Sequence, residues 1–217
     1  MARRPKSRSA KTATSTARRS GTPRDRILDA TLAFAEREGW RKASLGAIAS
    51  EAGVPLHELY GEFRSRAAIL SALMARTDAG VLADTPPADA DESPRDRLFE
   101  VLMRRFDALR PHRAALKVIA RELGSDPPTA ICSAPAFLRS MAWMLEAAGL
   151  SSAGIRGRFR VRALAVLYLC VLRVFVRDDS EDLAKTMAAL DRGLRQVEPW
   201  LGLGGFRWGP REQKQSA

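Results

Sequence analysis

The sequence predicts an all-α protein: a small three-helix N-terminal head followed by a larger helical bundle. Three observations carry this. Apolar residues recur at helical spacing along most of the chain, as at Phe137, Leu138, Met141, Met144, Leu145 and Ala148. Gly39, Gly53, Pro111 and Gly149 punctuate those periodic stretches. No stretch alternates with a period of two, and no segment repeats. The expected division is a basic tail over 1–21, a head over 22–82, a body over 83–198 and a C-terminal tail over 199–217.

Residues 1–20 hold Arg3, Arg4, Lys6, Arg8, Lys11, Arg18 and Arg19, no acid and no hydrophobic period, so disorder is expected. The first helix opens at Thr22-Pro23-Arg24-Asp25: Thr22 suits the cap, Pro23 the first turn, and Asp25 the positive end of the dipole. Ile27, Leu28, Thr31, Leu32, Phe34 and Ala35 form its packing face, Gly39 ends it, and Trp40 covers the joint to the next helix. Ser44 caps that helix, along which Leu45, Ile48, Ala49 and Ala52 recur. Gly53 closes it in a left-handed conformation, and Pro55 is expected to set the first helical dihedral of the next. That segment, 56–61, is short: Leu59 and Tyr60 can pack, while His57, Glu58 and Gly61 are exposed. A helix–turn–helix holding a short exposed second helix suits a DNA major groove.

The ordered set Ile48-Ala49, Ala52-Gly53-Val54, Leu59-Tyr60, Phe63 and Ser65-Arg66 resembles the TetR/AcrR regulators over roughly residues 22–75. The resemblance implies a ligand-responsive transcriptional regulator, usually a repressor, that binds a near-palindromic operator in double-stranded DNA as a homodimer. It implies phosphate contacts from Ser44, Tyr60 and Arg66, with Arg41, Lys42 and Arg64 flanking the same face. Base reading would fall to Leu56, His57 and Glu58: Leu56 against a thymine methyl, His57 toward a purine N7, Glu58 toward a cytosine amine, with Gly61 allowing close approach. Two positions depart from the family pattern. Pro55 lacks a hydroxyl and an N–H, and Glu62 joins Glu51 and Glu58 in placing negative charge near DNA.

Ser65 caps a helix to about Asp84, with Ile69, Leu70, Leu73, Met74, Thr77 and Val81 inward. In the resembled family this helix joins head to body, and its tilt sets the separation of the two heads. A Pro- and acid-rich loop covers 85–92. Ser93-Pro94 starts the next helix, Pro111 breaks it, and another runs from about His112 to Leu123. A turn over 124–128 precedes the helix around Phe137–Ala148, and a loop is expected over 151–157. Val161–Val176 is apolar nearly all round, so it is expected to be buried on several sides or shared with a dimer interface. Asp179-Ser180 is expected to cap the last helix, where Leu183, Met187, Leu190, Leu194 and Val197 make a seam for a neighbour. Trp200, Phe206 and Trp208 lie in the C-terminal tail. An apolar effector pocket, if the body holds one, falls among Phe106, Phe137, Met141, Met144, Tyr168 and Leu172.

The 217 residues carry a net charge of +11, which favours a polyanionic partner such as nucleic acid or an anionic membrane surface. Cys132 and Cys170 stand far apart among apolar residues and are expected to be buried. With two histidines the chain lacks material for a metal site or His-dependent catalysis. No catalytic triad, paired carboxylates or phosphate loop is present, so neither enzyme activity nor a cofactor is expected. The basic start leads into Ser, Thr and Ala rather than an apolar core, and Val161–Val176 contains Arg162 and Arg173, so a cytoplasmic protein without a transmembrane segment is expected. Val174–Leu194 is also similar to the end of the TetR-like lipid-binding proteins of ubiquinone biosynthesis. That likeness implies, as an alternative, a lipid-binding accessory protein without specific DNA binding.

Overall fold

The computed structural model describes residues 21–86 and 92–201, and all regular structure among them is helical. The helices are α1 (Pro23–Glu38), α2 (Leu45–Ala52), α3 (Leu56–Glu62), α4 (Arg66–Asp84), α5 (Pro94–Leu109), α6 (Arg113–Glu122), α7 (Pro127–Ala147), α8 (Gly154–Phe175) and α9 (Ala184–Leu201). They form two compact units, one of residues up to Leu73 with Ala114–Ser133, the other of Met74–Arg113 with the chain from Ala134 onward. No helix among the described residues is long and apolar enough to cross a membrane. The expectations for residues 1–20, 87–91 and 202–217, Phe206 and Trp208 included, lie outside the described residues.

In the first unit, Ile27 and Leu28 of α1, Trp40, Ile48 of α2, Leu59 of α3, Phe63 and Ile69 of α4 share one core. Ala115 and Ile119 of α6 belong to that same core. The head is therefore larger than the sequence indicates: twenty residues from beyond position 82 complete it. Trp40 is fully buried in a single 3-10 turn, at the joint between α1 and α2.

In the second unit, Leu98 and Phe106 of α5, Met141 and Leu145 of α7, Leu164 and Phe175 of α8, and Leu190 and Leu194 of α9 are fully buried. α8 and α9 lie so close that a Cβ on Gly193 would come 2.2 Å from Leu167 Cδ1. Gly157 is equally confined, since a Cβ there would meet the Ser152 carbonyl at 2.1 Å. Polar groups are buried here too. Arg105 is 2 % exposed and pairs with Asp78, whose Oδ1 also accepts from the Ser140 hydroxyl at 2.9 Å. Arg105 Nε donates to Tyr168 Oη at 3.1 Å.

Several expectations are corrected. α7 begins ten residues before Phe137, because Pro127 and Pro128 occupy a first turn where a missing N–H costs nothing. α8 begins inside the expected 151–157 loop. Its Val166 and Leu169 are 64 % and 46 % exposed in the single chain, so the all-round apolar pattern does not mean burial on every side. Cys132 and Cys170 are exposed, because each falls on the outer arc of its helix. Asp179 does not cap α9; it pairs with Arg113 at 3.5 Å. The cap is built from Ser180 Oγ and Asp182 Oδ1, which both accept from the Ala184 N–H, and from the buried Asp178. α9 also continues through Pro199 and Trp200 to Leu201.

Candidate nucleic-acid interface

The interface is built on α2 and α3. Ser44 Oγ accepts from the Ala47 N–H at 3.1 Å and starts α2. Gly53, at φ 63°, ends α2 in the left-handed region, and its N–H returns to the Ser50 carbonyl. Val54 is buried under the turn. Pro55 takes the cap position of α3 in an extended conformation, one residue before the position expected for it. Leu59, fully buried, anchors α3.

With Leu59 facing inward, α3 presents Leu56, His57, Tyr60 and Gly61 outward. Leu56 is 58 % and Tyr60 61 % exposed, and the Arg64 guanidinium rests 5.6 Å above the Tyr60 ring. Arg41, Lys42, Ser44 and Pro55 are exposed as well. Such apolar and aromatic exposure is unusual on a free helix and marks a surface that meets a partner. Gly61 adds a second sign. A Cβ there would meet nothing within 4 Å, so the fold itself does not require glycine. Gly61→Ala is therefore expected to stabilise α3 by about 0.5–1 kcal/mol. The same methyl is expected to weaken DNA binding by about one base contact, 1–3 kcal/mol. A melting scan beside a binding titration checks both signs.

The acids that reduce the motif's charge each have a partner on α1. Arg37 holds Glu51 through two bonds of 3.0 and 2.8 Å, Arg26 stands 4.0 Å from Glu58, and Arg24 stands 3.5 Å from Glu62. Glu58 is thereby turned partly toward α1. Hydrogen bonding to Glu51 raises the Arg37 pKa further, so that pair stays ionised.

Arg66 is engaged inside the head. Its guanidinium donates to Asp126 Oδ2 at 2.5 Å and to the Trp40 carbonyl at 3.2 Å, and it lies 5.2 Å above the Trp40 ring. A hydrogen bond from Thr129, and then the nearby Arg66 charge, hold the Asp126 carboxyl below its ordinary pKa. Nearby, Glu122 Oε2 accepts from the Arg41 N–H at 3.0 Å, and that bond is the main reason its pKa is lowered. Sequence reading missed Arg24, Arg26, Arg37, Glu122 and Asp126. The Arg41–Glu122 and Arg66–Asp126 contacts span 81 and 60 residues, a separation at which no local pattern points to a partner.

The residues expected to line an effector pocket do converge, within the second unit. Phe106 stacks on Tyr168 with centroids 5.0 Å apart, and Phe137 tilts against the same ring at 5.9 Å. Met141 and Met144 are fully buried and Leu172 partly so. Together these side chains surround the Arg105–Asp78 pair with packed aromatic and thioether groups.

Residues 27–73 match the family model described as bacterial regulatory proteins, tetR family. The head is a TetR-family domain. The matched span covers all of α2 and α3 and stops at the last residue of the first unit before α6. A TetR transcriptional regulator from Nitrosomonas europaea is 25 % identical, with a TM-score of 0.61 over 80 % of this chain and 96 % of that one. A TetR transcriptional regulator from Rhodococcus sp. RHA1, 22 % identical, has a TM-score of 0.52 over 81 % and 96 %. A tetR-family regulator from Streptomyces coelicolor, 15 % identical, shares the fold with a TM-score of 0.52 over 83 % and 88 %. No curated protein matches the chain. The TetR-type head and the larger helical domain expected from sequence are both present, and the likeness to solved regulators extends well beyond the head.

Proposed function

We propose that this protein is a sequence-specific DNA-binding transcriptional regulator acting as a homodimer, with repression relieved by an apolar effector. The observation that carries the reading is the outward face of α3: Leu56, His57, Tyr60 and Gly61, held out by a buried Leu59 within a TetR-family domain. Leu56 and His57 read base edges, Tyr60 and Ser44 bond phosphates, and Arg41, Lys42 and Arg64 add positive charge. Arg66 shapes this face from within, through Asp126 and Trp40, rather than from its surface.

Dimerisation is assigned to the outer side of α8. Ile155, Phe159, Val166 and Leu169 follow one another at helical spacing and are 79, 51, 64 and 46 % exposed. Val166→Glu is expected to weaken the dimer about tenfold or more, read by sedimentation, and to reduce binding to a two-half-site operator in parallel. A dimer indifferent to that change would remove α8 from the interface.

The deciding experiment selects bound sequences from a random duplex library and reads them at two salt concentrations. Enrichment of a near-palindromic site supports the regulator. Absence of any enriched sequence, together with an isoprenoid lipid that copurifies with the chain, would replace it with the lipid-binding accessory role.

A further inference from the structure

We propose that the electrostatic part of DNA binding is supplied mainly by residues 1–20, which contact phosphates beside the recognition helix, while the folded head contributes shape and base contacts. This rests on the DNA-binding reading above and assigns within it where the affinity comes from.

The argument begins with charge. Residues 22–73 carry seven Lys or Arg against seven Asp or Glu, and residues 114–133 carry two against two. The head is thus formally neutral, whereas phosphate binding depends on the number of phosphates that cations neutralise. Pairing narrows the supply further. Lys42 Nζ lies 3.7 Å from Glu38 and Arg41 Nε 4.0 Å from Glu122, while Arg24, Arg26 and Arg37 face the acids of α2 and α3. Residues 1–20 hold seven Lys or Arg with no acid, most of the chain's net +11.

Geometry then places that charge. Thr22 caps α1 by accepting from the Asp25 N–H, so the basic segment enters the head at the α1 N-terminus. Arg24 fixes that terminus beside the end of α3, through Glu62 at 3.5 Å and the Phe63 ring at 4.8 Å. The segment therefore joins the fold next to the helix offered to the groove. Fully extended, twenty residues reach at most about 70 Å, enough to follow the backbone past an adjacent groove.

The test uses the full chain, a variant with the seven tail Lys and Arg changed to Gln, and a variant with the same twenty residues in scrambled order. Each is titrated by fluorescence anisotropy against a 30-base-pair duplex of random sequence and against the enriched site, at several salt concentrations. Melting curves confirm an unchanged fold. The Gln variant is expected to bind about tenfold or more weaker at the lower salt, with the slope of log affinity against log salt reduced by roughly 3–6. The scrambled variant is expected to bind as the full chain does. An unchanged slope in the Gln variant would overturn the assignment, and so would a loss in the scrambled one. The two readings fail separately. A reduced slope without any enriched sequence would retain the tail's role and remove the regulator; an enriched site with an unchanged slope would do the reverse.

Discussion

Asp78→Ala is expected to destabilise the protein by about 3–5 kcal/mol in denaturant unfolding. Asp78 is 7 % and Arg105 2 % exposed, so removing the carboxylate leaves a guanidinium in an apolar core without its counter-charge. The remaining hydrogen bond, from Nε to Tyr168, satisfies one donor but supplies no charge. Ser140 also loses its acceptor. The cost is one of an unpaired charge and not of lost volume, and a second variant separates the two. Asp78→Leu combined with Arg105→Met replaces the pair by apolar groups and is expected to recover most of the loss. A single-variant loss below about 1 kcal/mol would mean the pair is not buried as described.

Asp178→Asn is expected to cost roughly 2–4 kcal/mol at neutral pH. Asp178 is fully buried, and both oxygens accept: Oδ1 from the Ser180 N–H and hydroxyl, Oδ2 from the Thr186 N–H at 2.7 Å and its hydroxyl at 2.6 Å. An amide would turn an NH2 group toward one of those donors. Burial alone would raise this carboxyl's pKa, but the bonds from Ser180 and Thr186 outweigh it and lower the value from 3.8 to about 2. The unfolded chain therefore binds this proton first as pH falls. The contribution, about 2 kcal/mol, is fully present above roughly pH 5 and is lost as pH drops toward 2. Wild-type stability should show that decline, and the Asn variant should lack this part of it. Parallel acid profiles for the two proteins would refute the assignment.

How much was legible depended on range. Thr22, Ser44, Gly53, Ser65 and Ser93 each perform the local task their position suggested, because caps and left-handed turns involve neighbours a few residues apart. The outward residues of α3 were legible for the same reason, once Leu59 was placed inside. Three features were not. Asp78 and Arg105 look like surface residues until helices 27 residues apart in sequence bring them together. Arg66 looks like a phosphate contact until Asp126 arrives from 60 residues away. Leu183 looks like part of the α9 seam, yet it precedes the helix at φ 56°, in the turn organised by Asp178. Helical periodicity sees one face of one helix, and these features belong to two or more.

The α1 arginines and the acids of α2 and α3 carry an evolutionary consequence. If each acid is tolerated near DNA because an arginine answers it, positions 24 and 62, 26 and 58, and 37 and 51 are not free to drift independently. Across relatives of this chain they should co-vary, with loss of an acid licensing loss of its arginine and with charge-swapped pairs appearing together. A lineage that kept Glu62 after losing Arg24 would be expected to carry a compensating change elsewhere on the same face.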